Sequence, residues 1–149
     1  MSGLSIATCT YQEFVPGMGA PTRTTAGHPR FALGYQLAGH AVLVTPDRQL
    51  VKAAHAGLPE DAYEFQYRRQ LATFGVDRIR AELAAIARYF GAPGPVVLLC
   101  FDKLTQPGNW CHRTHFAKWW TEQTGDPVPE LGGRPTAPAS PPPTLFDLS

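Results

Sequence analysis

Five residues with reactive or charged side chains lie on either side of one turn-rich segment. Cys100 and Asp102 precede it, and Cys111, His112 and Arg113 follow it. A cysteine beside a histidine can act as a nucleophile whose proton the imidazole accepts. The guanidinium of Arg113 has the planar fork that binds phosphate or carboxylate. These residues therefore predict recognition of an anionic molecule, or thiol chemistry on it.

Two predicted elements must position these residues. Segment 96–101 is apolar at every position, which is typical of a central parallel strand. Segment 111–124 has a helical pattern, with Phe116, Trp119 and Trp120 on its buried side. In open α/β sheets, ligands bind beyond the carboxyl ends of the strands, where helices begin. The unpaired N–H groups of such a helix attract anions and favour the thiolate form of a cysteine.

Two interpretations follow for this strand–helix junction. In the first, Cys111 is an activated thiolate, and His112 or Asp102 serves as acid or base. In the second, Arg113 and the helix N-terminus bind an anionic group without reaction. Both assign the predicted site to the same end of the sheet.

Zinc ligation is a third interpretation, since Cys100, Cys111, His112 and His115 offer sulfur and nitrogen donors. The spacing argues against it, because no two cysteines lie two to four residues apart and adjacent Cys-His residues rarely bind one ion. We predict no metal ligand and no cofactor, with zinc as the alternative. A structural interpretation also stands, in which the cysteines are buried packing residues and Arg113 pairs with a core carboxylate.

The remaining segments predict an α/β domain. A short apolar strand at 4–9 and helices at 59–74 and 77–90 precede segment 96–101, and the apolar run at 41–44 is either a strand or the lead into a helix. This alternation favours a small, mainly parallel sheet flanked by helices, in a Rossmann-like three-layer arrangement. Segment 11–30 has no clear period and is predicted to be a long loop. We place the domain at residues 1–131 and a flexible, Pro-rich C-terminal tail at 132–149.

Composition excludes several classes of protein. The chain has 149 residues and a formal net charge of +1, which gives no reason to expect a basic protein that coats nucleic acid. No apolar run is long enough for a membrane span, and the N-terminus lacks the pattern of a signal peptide. The three cysteines are an odd number, so we expect reduced thiols and a cytoplasmic location.

Three further features are candidates for binding. Arg23, His28 and Arg30 lie in the long loop and can bring positive charge to the predicted site, although a solvated loop is the preferred interpretation. Trp110 lies beside the reactive residues, where it can stack on a base, although a position in the core or at its rim is the preferred interpretation. In the tail, Leu145 and Phe146 resemble the anchors of short peptides that bind a bacterial sliding clamp, although packing against the domain is the preferred interpretation.

The chain resembles the DUF488 family of small prokaryotic and phage proteins. The resemblance rests on Leu98-Leu99-Cys100-Phe101-Asp102 and Cys111-His112-Arg113, followed by an amphipathic helix that ends in glycine. Weaker similarities are Thr8-Cys9-Thr10-Tyr11, Glu60-Asp61-Ala62-Tyr63 and the segment 125–131. The name of the family records an unknown function, so the resemblance implies a fold and a clustered site but no reaction.

The sequence-based hypothesis combines these features. We expect binding, or thiol-dependent modification, of an anionic small molecule such as a nucleotide or nucleic-acid component. The expected catalytic residues are Cys111, His112 and Asp102, and the expected ligand-binding residues are Arg113, Cys100, Arg30 and Trp110. The alternative is a non-catalytic interaction protein of prokaryotic or phage DNA metabolism, in which the cluster is structural. Whether the protein is an enzyme stays open.

Overall fold

The computed structural model describes residues 4–101 and 110–132. A four-stranded sheet forms its centre, and every strand pairing is parallel. The strands are β1 (Ile6–Thr10), β2 (Ala20–Arg23), β3 (Gly39–His40) and β4 (Val96–Cys100), in the spatial order β1-β4-β2-β3. Leu98 in β4 lies opposite both Thr8 and Thr22, so β4 is flanked by a strand on each side. The predicted α/β fold with a parallel sheet is confirmed.

Four helices accompany the sheet: α1 (Arg48–His55), α2 (Glu60–Phe74), α3 (Val76–Phe90) and α4 (His112–Thr124). The side chain of Asp47 caps α1 by accepting a hydrogen bond from the Gln49 amide at 3.3 Å. Glu60 and Asp61 lie in the first turn of α2, where the helix dipole favours negative charge. Gly75 separates α2 from α3 at a φ of 86°, which an L side chain rarely adopts.

All four helices contribute to one hydrophobic core on one face of the sheet. Its most deeply buried helical side chains recur at helical spacing, and they are Tyr67, Leu71, Ile79, Leu83, Phe116 and Trp120. Burial of one such side chain contributes roughly 1.5–3 kcal/mol to folding. This core therefore fixes the position of α4, and with it the start of the helix that carries the predicted site.

Non-helical chain covers the opposite face of the sheet. Ala7, Cys9, Val97 and Leu99 point into a second core, which segments 11–18 and 31–37 close. Tyr11 and Phe14 are its most buried loop residues, at 1% and 4% exposure. The three layers are thus helices, sheet and ordered loop.

Two of the predicted elements differ from the structure. Segment 11–30 is not one loop, because β2 lies within it beside the central strand. Pro21 argues against a strand in the sequence, because proline has no N–H group to donate to a sheet. In the structure the carbonyl of Pro21 accepts a hydrogen bond from the Ala38 amide, on the side of the two-residue edge strand β3. Segment 41–44 is a turn that follows β3, where the carbonyl of Ala41 accepts from the amides of Val44 and Thr45.

Some sequence-based predictions fall outside the described residues. Asp102 belongs to segment 102–109, and the tail, including Leu145 and Phe146, belongs to segment 133–149. Among the described helices, none has the length and apolar character that a membrane crossing requires.

Candidate functional site

The carboxyl end of β4 and the start of α4 bring the predicted residues together. Cys100 is the last residue of β4, and Cys111 is the residue that caps α4. Cys111 has an extended backbone, with φ of −146° and ψ of 150°, so the helical turn begins only at His112. This change of backbone direction lets the side chains of two adjacent residues approach the same point from different sides.

The sulfur atoms of Cys100 and Cys111 are in covalent contact as a disulfide, whereas Cys9 is free and buried. This pairing of residues 11 apart in the chain differs from the reduced thiols that the odd number of cysteines predicts. The Cα atoms of the pair are 7.4 Å apart, beyond the roughly 4.4–6.8 Å usual for bridged cysteines. A Cα–Cα distance of 7.4 Å also allows the two cysteines to be separate thiols whose sulfur atoms point towards the same position.

The imidazole of His112 lies between Cys111 and Thr24. Its Nδ1 atom is 3.5 Å from Sγ of Cys111, and its Nε2 atom is 2.9 Å from Oγ1 of Thr24. The Thr24 hydroxyl donates its hydrogen to the Leu99 carbonyl at 2.7 Å, because a carbonyl only accepts. From this network we assign the Nε2 atom as the donor to Thr24, which leaves the Nδ1 lone pair directed at the cysteine.

Burial keeps His112 uncharged. Loss of hydration lowers the pKa of its imidazole to about 3, and the nearby positive charge of Arg113 acts in the same direction. At neutral pH the ring is therefore uncharged, and its Nδ1 atom carries a lone pair and no hydrogen.

Arg113 points away from this pair into a closed network. Its side chain is 0% exposed, and its Nε and Nη2 atoms donate to the two carboxylate oxygens of Glu130 at 2.8 and 3.1 Å. Its Nη1 atom donates to Sγ of Cys100 at 2.6 Å. The Thr8 hydroxyl also donates to Glu130, at 2.7 Å. The structural interpretation calls for a core carboxylate as the partner of Arg113, and the partner is Glu130, whose side chain is 28% exposed.

A pocket of about 400 Å³ opens beside Cys100, Cys111 and His112. Its described walls are mostly apolar, and they are completed by Thr25, Ala26, Gly27, Pro46, Val51, Ala54, His55, Tyr63, Phe101 and Trp110. The rings of Tyr63 and Trp110 pack at 4.7 Å between centroids. Ligand pockets are typically concave, apolar and close to this size, with few polar groups.

Arg30 lies in the loop after β2, whereas Arg23 is the last residue of β2. Arg30 is exposed and does not contribute to the described wall of the pocket. Arg23 donates from Nε to the Thr25 carbonyl at 2.8 Å and from Nη2 to the Ala26 carbonyl at 2.5 Å. It therefore holds the loop that forms one wall.

His115 does not join the two cysteines. Its ring is 3% exposed and lies 3.2 Å from Glu60 and 3.6 Å from Glu64, on the side of α2. Burial lowers the pKa of His115, although the two glutamates oppose the shift. The sulfur and nitrogen donors that the structure does bring together are those of Cys100, Cys111 and His112, within 4.8 Å of one another.

Two residues at the site have partners that local sequence patterns do not reveal. Thr24 meets His112 across 88 residues, and Glu130 meets Arg113 across 17. No motif in the sequence marks Thr24. Glu130 belongs to a segment that supports the family resemblance, which was the one available signal.

Comparison with known proteins finds no match: no family model, no curated protein and no solved structure matches this chain. The resemblance to the DUF488 family therefore stays a prediction.

Proposed function

We propose that the protein binds a small anionic molecule in the pocket at the end of β4 and acts on it through the thiol of Cys111. One observation carries the proposal: the Nδ1 atom of a neutral histidine faces Sγ of Cys111, on a pocket wall. A base in contact with a thiol is the arrangement that nucleophilic cysteines require.

The proposed step begins with the reduced cysteine pair. Nδ1 of His112 takes the proton of the Cys111 thiol as Sγ attacks an electrophilic atom of the bound molecule, so that no thiolate has to form before the attack. A bond forms from Sγ to that atom, and the leaving group departs with its electron pair and takes the proton from His112. The Cys100–Cys111 disulfide would block this step, because Cys111 then has no thiol.

The pocket walls support a particular class of ligand. Tyr63, Phe101 and Trp110 offer ring faces on which a flat ring can stack. The N-terminus of α4 opens at the same place, and its positive dipole end favours an anionic group. A nucleotide combines these two properties, and it is the ligand class we propose to test first.

A second candidate function, that of a non-catalytic interaction protein in which the cluster is structural, draws support from Arg113. Its guanidinium is already bound by Glu130 and Cys100, so its charge stabilises the fold and not a ligand. The role of the cluster would then be to stabilise the fold of a protein that binds a partner without catalysis.

Alkylation of the reduced, chelator-treated protein with iodoacetamide separates these functions. Cys9 is an internal control, since burial raises the pKa of its thiol to about 11. We expect Cys111 to react at least about tenfold faster than Cys9 at neutral pH, measured by mass spectrometry of the peptides. Equal or slower alkylation of Cys111 would contradict a reactive thiol and favour the structural role.

A competition experiment tests the ligand. A nucleoside monophosphate should slow alkylation of Cys111 and leave Cys9 unchanged, and the nucleoside without phosphate should protect less. Protection by neither compound would contradict the proposed ligand class, while leaving the reactivity of Cys111 intact.

A further inference from the structure

We infer that the reduced chain binds a zinc-type metal ion through Cys100, Cys111 and His112, with a fourth coordination position that faces the pocket. The inference shares the pocket with the proposed function but does not need the thiol reaction. It also replaces the expectation from sequence spacing that no metal is bound.

The donor atoms already converge. Two sulfur atoms and one imidazole nitrogen lie within 4.8 Å of one another, and all three residues are buried. The adjacent Cys111 and His112 can share an ion because the first is extended and the second begins the helix. In the complex each sulfur would lie about 2.3 Å from the ion and the nitrogen about 2.0–2.1 Å. The sulfur pair would open to reach these positions, which suits the 7.4 Å separation of the Cα atoms.

The surroundings resemble the outer shell of a metal site. Histidines that bind metals usually donate their second ring N–H to a fixed acceptor. Here Nε2 of His112 donates to Thr24, which is held in turn by the Leu99 carbonyl, so Nδ1 is free for the ion. Arg113 donates to Sγ of Cys100, which stabilises that sulfur as a thiolate.

The charges also balance. Two thiolates and a neutral imidazole carry the charge that neutralises a divalent cation, while Arg113 is neutralised separately by Glu130. Three protein ligands leave one position of a tetrahedral zinc ion open, as in catalytic sites. That position would accept an oxygen, nitrogen or sulfur donor of a small molecule in the pocket. The metal ion would then supply positive charge in the pocket, whereas the charge of Arg113 is paired with Glu130.

Cobalt(II) is the probe for the experiment, because cobalt–thiolate bonds give a near-ultraviolet charge-transfer absorption. The full-length chain is reduced, freed of metal with a chelator, and titrated with cobalt and then zinc. We expect this absorption to saturate at one cobalt per chain and to disappear when zinc displaces cobalt. Cys100→Ser and Cys111→Ser should each abolish it, and Cys9→Ser, the matched control, should retain it.

Second measurements keep the inference testable if a cysteine variant does not fold. Thr24→Val leaves all three ligands in place and should weaken metal binding about 10–100-fold, whereas Thr24→Ser should bind as the wild type does. In the wild type, zinc should protect Cys111 from iodoacetamide. Absence of the cobalt–thiolate absorption, or its persistence in both Cys100→Ser and Cys111→Ser, would overturn the inference.

The same data separate this inference from the proposed function. A chain that binds no metal but has a rapidly alkylated Cys111 overturns the metal site alone. A chain that binds metal but has an unreactive Cys111 after metal removal overturns the thiol reaction alone.

Discussion

His112 and Arg113 are neighbours at the start of α4, yet they belong to two different halves of the site. The pocket half consists of Cys111, His112 and Thr24, and it has a neutral imidazole with one nitrogen directed at Sγ of Cys111. The closed half consists of Arg113 and Glu130 with their partners. Two hydrogen bonds join the guanidinium of Arg113 to the carboxylate of Glu130 in an ion pair. The first half opens on a cavity, whereas the guanidinium of the second has no exposed surface.

Burial separates a structural role for Arg113 from a chemical role for His112. A buried charge must be neutralised within the protein, so Arg113 is committed to Glu130 and is poorly available to a ligand. A buried imidazole can instead become neutral and keep one nitrogen free. Loss of the closed half should therefore affect folding most, and loss of the pocket half should affect reactivity most.

The largest effect on stability is expected from Glu130→Ala. The change leaves the guanidinium of Arg113 buried without its carboxylate, which should lower the free energy of unfolding by about 3 kcal/mol. Urea unfolding followed by circular dichroism measures the change. Glu122→Ala is the matched control, because it removes the exposed partner of Arg68, and its loss should be much smaller. Equal losses in the two variants would remove the distinction between a buried and an exposed pair.

The next largest effect is a loss of stability in acid that depends on His112. Its imidazole titrates near 6.5 when unfolded, and burial lowers its pKa to about 3 in the fold. Because the unfolded chain binds the proton first, the contribution is complete above pH 6.5 and falls as the pH drops towards 3. Between pH 7 and pH 5 the loss is about 2 kcal/mol.

The variant His112→Gln isolates this contribution. Unfolding of the metal-free wild type and variant at pH 7 and pH 5 should show that only the wild type has this additional loss. Parallel losses in the two proteins would mean that His112 is not held neutral.

A smaller loss is expected from Thr24→Val, which removes the hydroxyl between His112 and the Leu99 carbonyl. The lost hydrogen bonds should cost about 1 kcal/mol, and alkylation of Cys111 should slow because the histidine tautomer is no longer fixed. Thr24→Ser restores the hydroxyl and should recover both properties. An alkylation rate that is unchanged in Thr24→Val would show that Thr24 has no role in orienting His112.

The smallest effect is expected from Arg30→Ala. Arg30 is exposed and outside the described pocket wall, so the free energy of unfolding should change by less than about 0.5 kcal/mol. Protection of Cys111 by a nucleoside monophosphate should also be unchanged. Weaker protection in this variant would restore Arg30 to the ligand-binding residues predicted from the sequence.

The sequence predicted the elements that frame the site because their signals are local. The spacing of Tyr67 and Leu71 marks a buried helix face in α2, and the apolar run of β4 marks a central strand. The sequence also predicted that Cys100, Cys111 and His112 meet at the junction of β4 and α4. The strand β2 escaped prediction because it is four residues long and contains Pro21, so its identity depends on neighbouring strands.

Residues close together in the chain are therefore enough to predict α2, α3, α4, the central strand and the reactive residues at one end of it, but α1 is not among the predicted helices. Which of the reactive residues face the pocket depends on contacts between distant segments. The pairings of Arg113 with Glu130 and of His112 with Thr24 join distant segments, and they form only when the sheet brings those segments to one edge. Burial accounts for this dependence, because desolvation of a charge and of an imidazole selects their partners and occurs only in the folded chain.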